Sequence, residues 1–336
     1  MSKVNLNKLI DAWDPILQKA FLESIAKIRD QAQIEQIAKA IQDGSLEAAM
    51  KAAGVDPVMF RPLDRALQNA FEAGGNITTS GFPSVGRPGE LKTIFQFDVR
   101  NPAAEQWLKD YSSSLVTEIV DDQRSLIQQV MARGLEAGDN PRTIALDLVG
   151  RIGTDGRRTG GLIGLTSSQA EWVQNYADAL ASDDPTEALN YNLRDARFDI
   201  AVKRAAESGI PLTDSQIEAM TNSYTNRALR YRAENIARTE SMAALHEAQS
   251  QAIDQAIESG AVDPENVEMV WRTTHDKRTR ESHRAMDGQT VKYGEKFVTG
   301  NGNELAYPGD PDGAAEDVIN CRCWLEPKIN FYAGLE

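Results

Sequence analysis

Residues 213–260 read TDSQIEAMTNSYTNRALRYRAENIARTESMAALHEAQSQAIDQAIESG, and this stretch decides the fold class. Thr213 and Gln216 stand at the spacing of a capping box, with Leu212 and Ile217 placed as a hydrophobic staple across the helix start. From Asp214 to Ser259 neither Gly nor Pro interrupts, and Gly260 supplies the stop. One helix over about 213–259 would be on the order of 70 Å long at a rise of 1.5 Å per residue. Ala244, Ala248, Ala252 and Ala256 form an i+4 ridge of small residues, against which another helix can approach closely. Packing within the chain is the expected use of that ridge, ahead of a seam between subunits. Arg227, Arg230, Arg232 and Arg238 punctuate the same helix, and Glu234 precedes Arg238 by the four residues of a favourable pair.

Toward the N-terminus the pattern is again helical. Leu6, Leu9, Ile10 and Trp13 share a face, continued by Ile16, Leu17, Ala20, Phe21, Ile25 and Ile28. Asp14-Pro15 reads as a cap followed by Pro at the first helical position, which predicts a restart or a kink. Ser45 caps a helix that stops at Gly54, and Asp56-Pro57 opens another that runs out at Gly74-Gly75. Residues 76–100 are rich in Gly and Pro, and Phe95, Phe97 and Val99 alternate with polar residues as in a strand. Asn101-Pro102 and Asn140-Pro141 then cap two helices, the first running to about Arg133 and the second to near Gly150. Thr166 and Gln169 repeat the capping box, and Asp183-Asp184-Pro185 breaks the chain after that helix.

After Gly260 the period changes. Met269, Trp271 and Thr273 alternate, Thr279 to Met286 fits a short helix ended by Asp287-Gly288, and residues 290–297 favour strand. Cys321, Cys323 and Leu325 would share one strand face. The expected fold is mostly α-helical, with multi-helix N-terminal and middle regions and a small C-terminal α+β domain. Its expected divisions are an N-terminal helical region at 1–75, an extended arm or hairpin at 76–100, a helical middle domain at 101–260 and the α+β domain at 261–336.

Length and charge narrow the function. A chain of 336 residues is long enough for two or three domains. No run of eighteen apolar residues occurs, so the sequence offers no transmembrane helix. The start, MSKVNLNKLIDAWDP, has no apolar signal region, and two cysteines make no disulfide framework. The expectation is a protein made in a cytoplasm. The net charge is -14, and residues 239–336 carry 18 acidic against 9 basic side chains. Such a chain is a poor generic binder of DNA, because phosphate contacts dominate that affinity. DNA contact is left to a local feature, the glycine-rich loop 150–161 with Arg151, Arg157 and Arg158. That loop matches no phosphate-binding motif, and an ordinary solvated loop is the competing reading.

Both cysteines and two of the three histidines fall in the last seventy residues. His275, His283, Cys321 and Cys323 are zinc-type ligands in the right number, but C-x-C is not the usual pairing and Arg322 puts a cation beside it. The other reading packs the thiols inward as small hydrophobes. Asp276 suits a turn cap, and Arg278 and Arg280 could fork onto carboxylates such as Asp310 or Asp317. A catalytic acid/base role for Asp276 and His283 is the sharper alternative, yet no nucleophile motif, phosphate loop or dinucleotide fingerprint accompanies them. No catalytic residue and no cofactor is expected, zinc apart.

Taken in order, these blocks resemble the Mu F-like head morphogenesis family of bacteriophages. The resemblance rests on Arg238-Thr239-Glu240, on Trp271 followed by Asp276-Lys-Arg278-Thr-Arg280 and His283, on Gly288, on Pro308-Gly-Asp310, and on Asn320-Cys321-Arg-Cys323. It covers about residues 230–325 and extends more loosely to 95–230, through Phe97–Pro102, Val116–Arg124, Asn140–Thr143 and Leu193–Asp199. It implies a minor capsid protein that is a structural part of the virion head at the portal vertex. The implied partners are the portal protein, the major capsid or scaffolding protein, and packaged DNA. Several copies would enter each particle, assembled in the host bacterial cytoplasm, with genome packaging or delivery as further roles and no membrane contact. His275 lies outside the family pattern, which leaves His283, Cys321 and Cys323, with Asp276, as the metal candidates. An injected ADP-ribosyltransferase using Glu240, and an internal DNA-binding ejection protein, are the alternative readings.

Overall fold

The computed structural model describes residues 6–83, 95–153, 156 and 158–331. Helices α1 (Leu6–Gln31), α2 (Ile34–Gln42), α3 (Leu46–Ala53) and α4 (Arg61–Ser80) come first. They are followed by α5 (Pro102–Glu136) and α6 (Pro141–Val149), then a short hairpin of β1 (Arg151–Ile152) and β2 (Arg158–Thr159). Next come α7 (Ser167–Ala181), α8 (Asp199–Ser208) and α9 (Asp214–Glu258). The C-terminal part holds β3 (Val267–Arg272), α10 (Glu281–Arg284), β4 (Thr290–Lys292), β5 (Phe297–Val298), β6 (Glu304–Leu305), α11 (Ala315–Val318) and β7 (Trp324–Ile329). The chain is mostly helical with a small strand-bearing C-terminal part.

The caps act as their sequences dictate. Ser45 Oγ accepts from the Ala48 amide, Asp56 from Val58 and Asn140 from Arg142, each satisfying an amide that the helix start leaves open. The Thr166 and Gln169 capping box closes reciprocally, at 3.2 and 3.1 Å. So does the box of Thr213 and Gln216, at 3.3 and 2.9 Å, and α9 runs unbroken over 45 residues from it.

Three local expectations are corrected. Helix α1 runs through Pro15 without restarting, because Leu6, Ile10, Leu17, Ala20, Phe21, Ile25 and Ile28 form one continuous buried stripe. Asp14 is not a cap there; it pairs with Arg238 Nε at 2.8 Å. Helix α4 does not stop at Gly74-Gly75 but continues to Ser80. Those glycines serve close approach instead: a Cβ on Gly74 would stand 3.0 Å from Ala248 Cβ, and one on Gly75 would stand 2.1 Å from the Phe97 ring. Residues 95–98 form no strand; Phe97 is buried by ring packing, 5.8 Å from Phe71, rather than by ladder pairing. The rest of the expected arm, residues 84–94, lies outside the described residues.

The chain divides into two compact units that do not follow the linear segments. The first joins 1–20, 63–112 and 234–336, because segments far apart in sequence share one core. There β3 is the middle strand of an antiparallel sheet ordered β4-β3-β7, with Trp271 opposite Leu325 and Met269 opposite Val291. Trp271, Phe297, Leu305, Cys321 and Cys323 pack with Leu6 and Ile10 of α1 and with Met242, Leu245 and Ile253 of α9. The alanine ridge 244, 248, 252 and 256 is wholly buried within the chain.

The second unit is 21–62 with 113–233. In it α2 packs on α3 and α6. The glycine-rich loop turns its carbonyls inward: Arg29, 7% exposed, donates to Gly160 O at 3.0 Å, Gly161 O at 2.9 Å and Ile163 O at 2.9 Å. Burial pushes that guanidinium down to about 10. Gly164 sits between Ile25 and Leu229 at φ 100°, and its amide donates to the buried Gln123 Oε1 at 2.7 Å.

Candidate metal centre

The Arg238-Thr239-Glu240 block is a three-way tie inside the first unit. Arg238 reaches Asp11 at 3.3 Å and Asp14 at 2.8 Å on α1. Burial pushes the Asp14 carboxyl up, against the pull of Arg238. Thr239 Oγ1 accepts from the Asn320 amide at 3.4 Å. Glu240, 7% exposed, accepts from the Tyr111 hydroxyl at 2.6 Å on α5. Three consecutive residues point three ways around a helix, so each holds a different segment.

The tie to Asn320 matters most, because Asn320 begins the Asn-Cys-Arg-Cys block. Its φ is 56°, a left-handed conformation that Asn tolerates better than most residues. Its Nδ2 donates to Asn235 Oδ1 at 2.8 Å, so α9 grips both its backbone and its side chain. Gly309, at φ 86°, presses the Pro308-Gly309-Asp310 turn onto α9, where a Cβ would stand 3.0 Å from the Ala243 nitrogen. Asp310 closes its own turn, accepting from Ala306 and Asp312. Gly288, at φ 83°, donates its amide to Trp271 O at 2.9 Å and so returns the chain to β3.

Held this way, Cys321, Cys323 and His283 converge. His283 projects from α10, and its Nδ1 lies 3.5 Å from Cys321 Sγ and 3.4 Å from Cys323 Sγ. The three ligand atoms lie within 4.8 Å of one another, and all three residues are buried. The opposite face of the imidazole is turned to Asp317, with Nε2 3.4 Å from Oδ1, long for a hydrogen bond. Asp317 is buried too, accepting from Asn303 Nδ2 at 2.7 Å and Ser282 Oγ at 3.3 Å. Trp271 closes the other side, edge-on to the imidazole at 5.6 Å.

The two thiols are electrostatically unlike. Cys321 is held well below the ordinary thiol range by the hydrogen bond from Cys323, against burial and with help from His283. Cys323 is pushed up, by donating to Cys321 and by burial. Two cysteine sulfurs and an imidazole therefore share one dry pocket, the donor set that soft and borderline divalent cations prefer. Burial at 1% and 3% leaves the sulfurs no open approach for a substrate, which disfavours nucleophilic chemistry there.

The other predicted residues lie around this group, not in it. Asp276 is engaged by Arg322, Nη1 to Oδ2 at 2.5 Å and Nη2 to Oδ1 at 2.7 Å. Arg322, expected as an unwelcome cation beside the thiols, is thus turned away and neutralised. Arg280 donates to the Ile319 carbonyl, and Arg278 is exposed, its guanidinium 3.9 Å from Asp276. Neither forks onto Asp310 or Asp317. His275, at φ 53°, faces Asp287 at 3.3 Å in solvent. Sequence reasoning missed Asp317 as the partner of His283. No spacing signalled it; the short helix α11, between β6 and β7, brings it there.

In the second unit, Arg151 pairs with Asp147 at 2.9 Å and Arg158 donates to Gly150 O at 3.0 Å. Arg157 lies outside the described residues. Asp195 and Arg194, from the block at Leu193–Asp199, are likewise internal. Asp195 accepts from Arg197 at 2.6 Å and Ser223 at 3.1 Å, and Arg194 forks onto Asp199. Among the described residues no helix is long and apolar enough to cross a membrane.

Comparison with known proteins agrees with the resemblance. Residues 196–326 match the family described as Phage Mu protein F like protein. These residues run from just before α8 to within β7, so they carry the whole His283, Cys321 and Cys323 group and the Arg238-Thr239-Glu240 block, though not its partners on α1 and α5. A protein of Bacillus subtilis (strain 168), named Uncharacterized protein YqbB, is 26% identical over 169 residues. That alignment covers 49% of this chain and 50% of the relative, so the chain spans about half the length of the curated relative it matches. No solved structure matches.

Proposed function

We propose that this chain is a minor head protein of a bacteriophage, acting by binding at the portal vertex during head assembly. The observation that carries the reading is the Mu F-like match over 196–326, whose motif residues serve as structural ties. Arg238, Thr239 and Glu240 are spent on α1, Asn320 and Tyr111. Glu240, the carboxylate an ADP-ribosyl transfer would require, accepts a hydroxyl on a packed helix face and is 7% exposed. That arrangement favours assembly over catalysis. The described arginines of the basic loop are turned to Asp147 and Gly150 O, which gives DNA contact there no added support.

The portal protein is the partner this reading names, with several copies of the chain per particle. Co-purification from cells producing the particles tests it. The expected result is the chain on portal oligomers and in mature heads. Recovery only as free protein, absent from both, would overturn it.

A further inference from the structure

We infer that His283, Cys321 and Cys323 bind one zinc ion through Nδ1 and the two sulfurs, as a buried structural cross-link of the C-terminal part. The inference is independent of the head-assembly reading, because it rests on three ligand atoms and their surroundings.

The distances carry it first. With zinc–nitrogen bonds of about 2.05 Å, zinc–sulfur bonds of about 2.3 Å and tetrahedral angles, each nitrogen–sulfur edge comes to about 3.6 Å. The observed edges are 3.5 and 3.4 Å. One imidazole lone pair can accept from one thiol hydrogen at a time, yet both sulfurs stand at nearly equal distance from it. Two buried thiols packed merely as small hydrophobes have no reason to converge on a single nitrogen. A cation among the three atoms supplies that reason.

The surroundings carry it second. His283 Nε2, buried and without a hydrogen-bond partner, faces Asp317 Oδ1 at 3.4 Å. A carboxylate behind the distal nitrogen of a histidine ligand orients the ring and raises its basicity. Asp317 is in turn fixed by Asn303 and Ser282. The charges also balance. Binding of Zn²⁺ displaces two thiol protons to solvent, and two thiolates with a neutral imidazole leave the centre uncharged, as a dry pocket demands. The fourth position falls to a small neutral donor such as water. Asp276 is not a ligand, since Arg322 occupies both of its oxygens.

The ion would tie α10 to the segment before β7, closing loops of 38 and 40 residues. The test is elemental analysis of the full chain, purified under reducing conditions without chelator, together with cobalt(II) exchange. The expected result is one equivalent of zinc, replaced by cobalt to give the strong visible bands and sulfur-to-metal charge transfer of a tetrahedral thiolate site. Cys321→Ser and His283→Ala should lose both signals, whereas His275→Ala should keep them. If the first two variants fail to fold, the cobalt spectrum of the unaltered chain still decides. Folded, reduced protein that holds no metal and gives no thiolate–cobalt band would overturn the inference. So would stoichiometric iron in place of zinc, or zinc retained in folded Cys321→Ser.

Discussion

Arg322 forks onto Asp276, Nη1 to Oδ2 at 2.5 Å and Nη2 to Oδ1 at 2.7 Å, and so fastens the Cys-Arg-Cys segment to the turn after β3. The planar guanidinium matches both carboxylate oxygens, whereas an ammonium can meet only one well. Arg322→Ala should lower the thermal midpoint by a few degrees and speed amide exchange at Arg278, whose amide donates to Asp276 Oδ1. Arg322→Lys should recover only part of each. A Lys variant that matches the unaltered chain would show that the fork contributes nothing beyond charge. Desolvation pushes the Asp276 carboxyl up, but Arg322, the Arg278 amide and Thr279 together hold it below its usual value. The pair's contribution is therefore present above the ordinary carboxylate value and lost as pH falls from that value through the lowered folded one.

His246 gives a second pH dependence. It is fully buried on α9, its Nδ1 2.9 Å from Met242 O and its ring parallel to Tyr307 at 6.4 Å. Burial pushes it from 6.5 down to about 4. Between those values the unfolded chain binds a proton that the folded chain refuses. Stability should thus be unaffected by this group above about pH 6.5, fall by about 3 kcal/mol on acidification to about pH 4, and change no further below. Urea unfolding of the unaltered chain and of His246→Leu across this range checks it. Equal pH slopes in the two proteins would refute the assignment.

Arg29 carries the glycine-rich loop from the inside. In Arg29→Met the carbonyls of Gly160, Gly161 and Ile163 lose a buried donor, and each such loss costs about 1–3 kcal/mol. Unfolding free energy should fall by about 3 kcal/mol or more, with Arg29→Lys intermediate. An unchanged urea midpoint in Arg29→Met would mean that the loop does not depend on this side chain.

Two helix glycines should respond unequally to alanine. Gly→Ala gains about 1 kcal/mol of helix propensity at each. At Gly75 the new Cβ would stand 2.1 Å from the Phe97 ring, which is itself packed on Phe71, so overpacking of about 1–3 kcal/mol should win. At Gly134 the new Cβ would meet only the Ile144 side chain, with Cδ1 and Cγ1 both at 2.6 Å, and an aliphatic chain yields more readily than a ring held between neighbours. Gly134→Ala should therefore cost less than Gly75→Ala. The reverse order in thermal denaturation would contradict this packing account.

Much of the architecture was legible because it is encoded locally. Thr213 and Gln216 need only each other to start α9, and Ser45, Asp56 and Asn140 satisfy amides two or three residues away. The failures share one cause. Pro15 and Gly74-Gly75 read as stops from the sequence, and the stripe buried along α1 and the packing of α4 on α9 override them. Local propensity is worth about 1 kcal/mol for Gly and 3 for Pro, which a well-buried face can outweigh.

The candidate metal centre divides the same way. Sequence by itself determined the residue types, the C-x-C spacing and the wording that marks 196–326 as Mu F-like. It also determined the long helix that the first unit shares. Only the tertiary structure decided which groups meet: that Arg322 takes Asp276 away from the thiols, that Asp317 stands behind His283, and that His275 is left in solvent. Caps and helical faces depend on neighbours within a turn, so spacing reveals them. The meeting of His283 with cysteines 38 and 40 residues away depends on how α9, β3 and β7 pack, and no periodicity carries that distance.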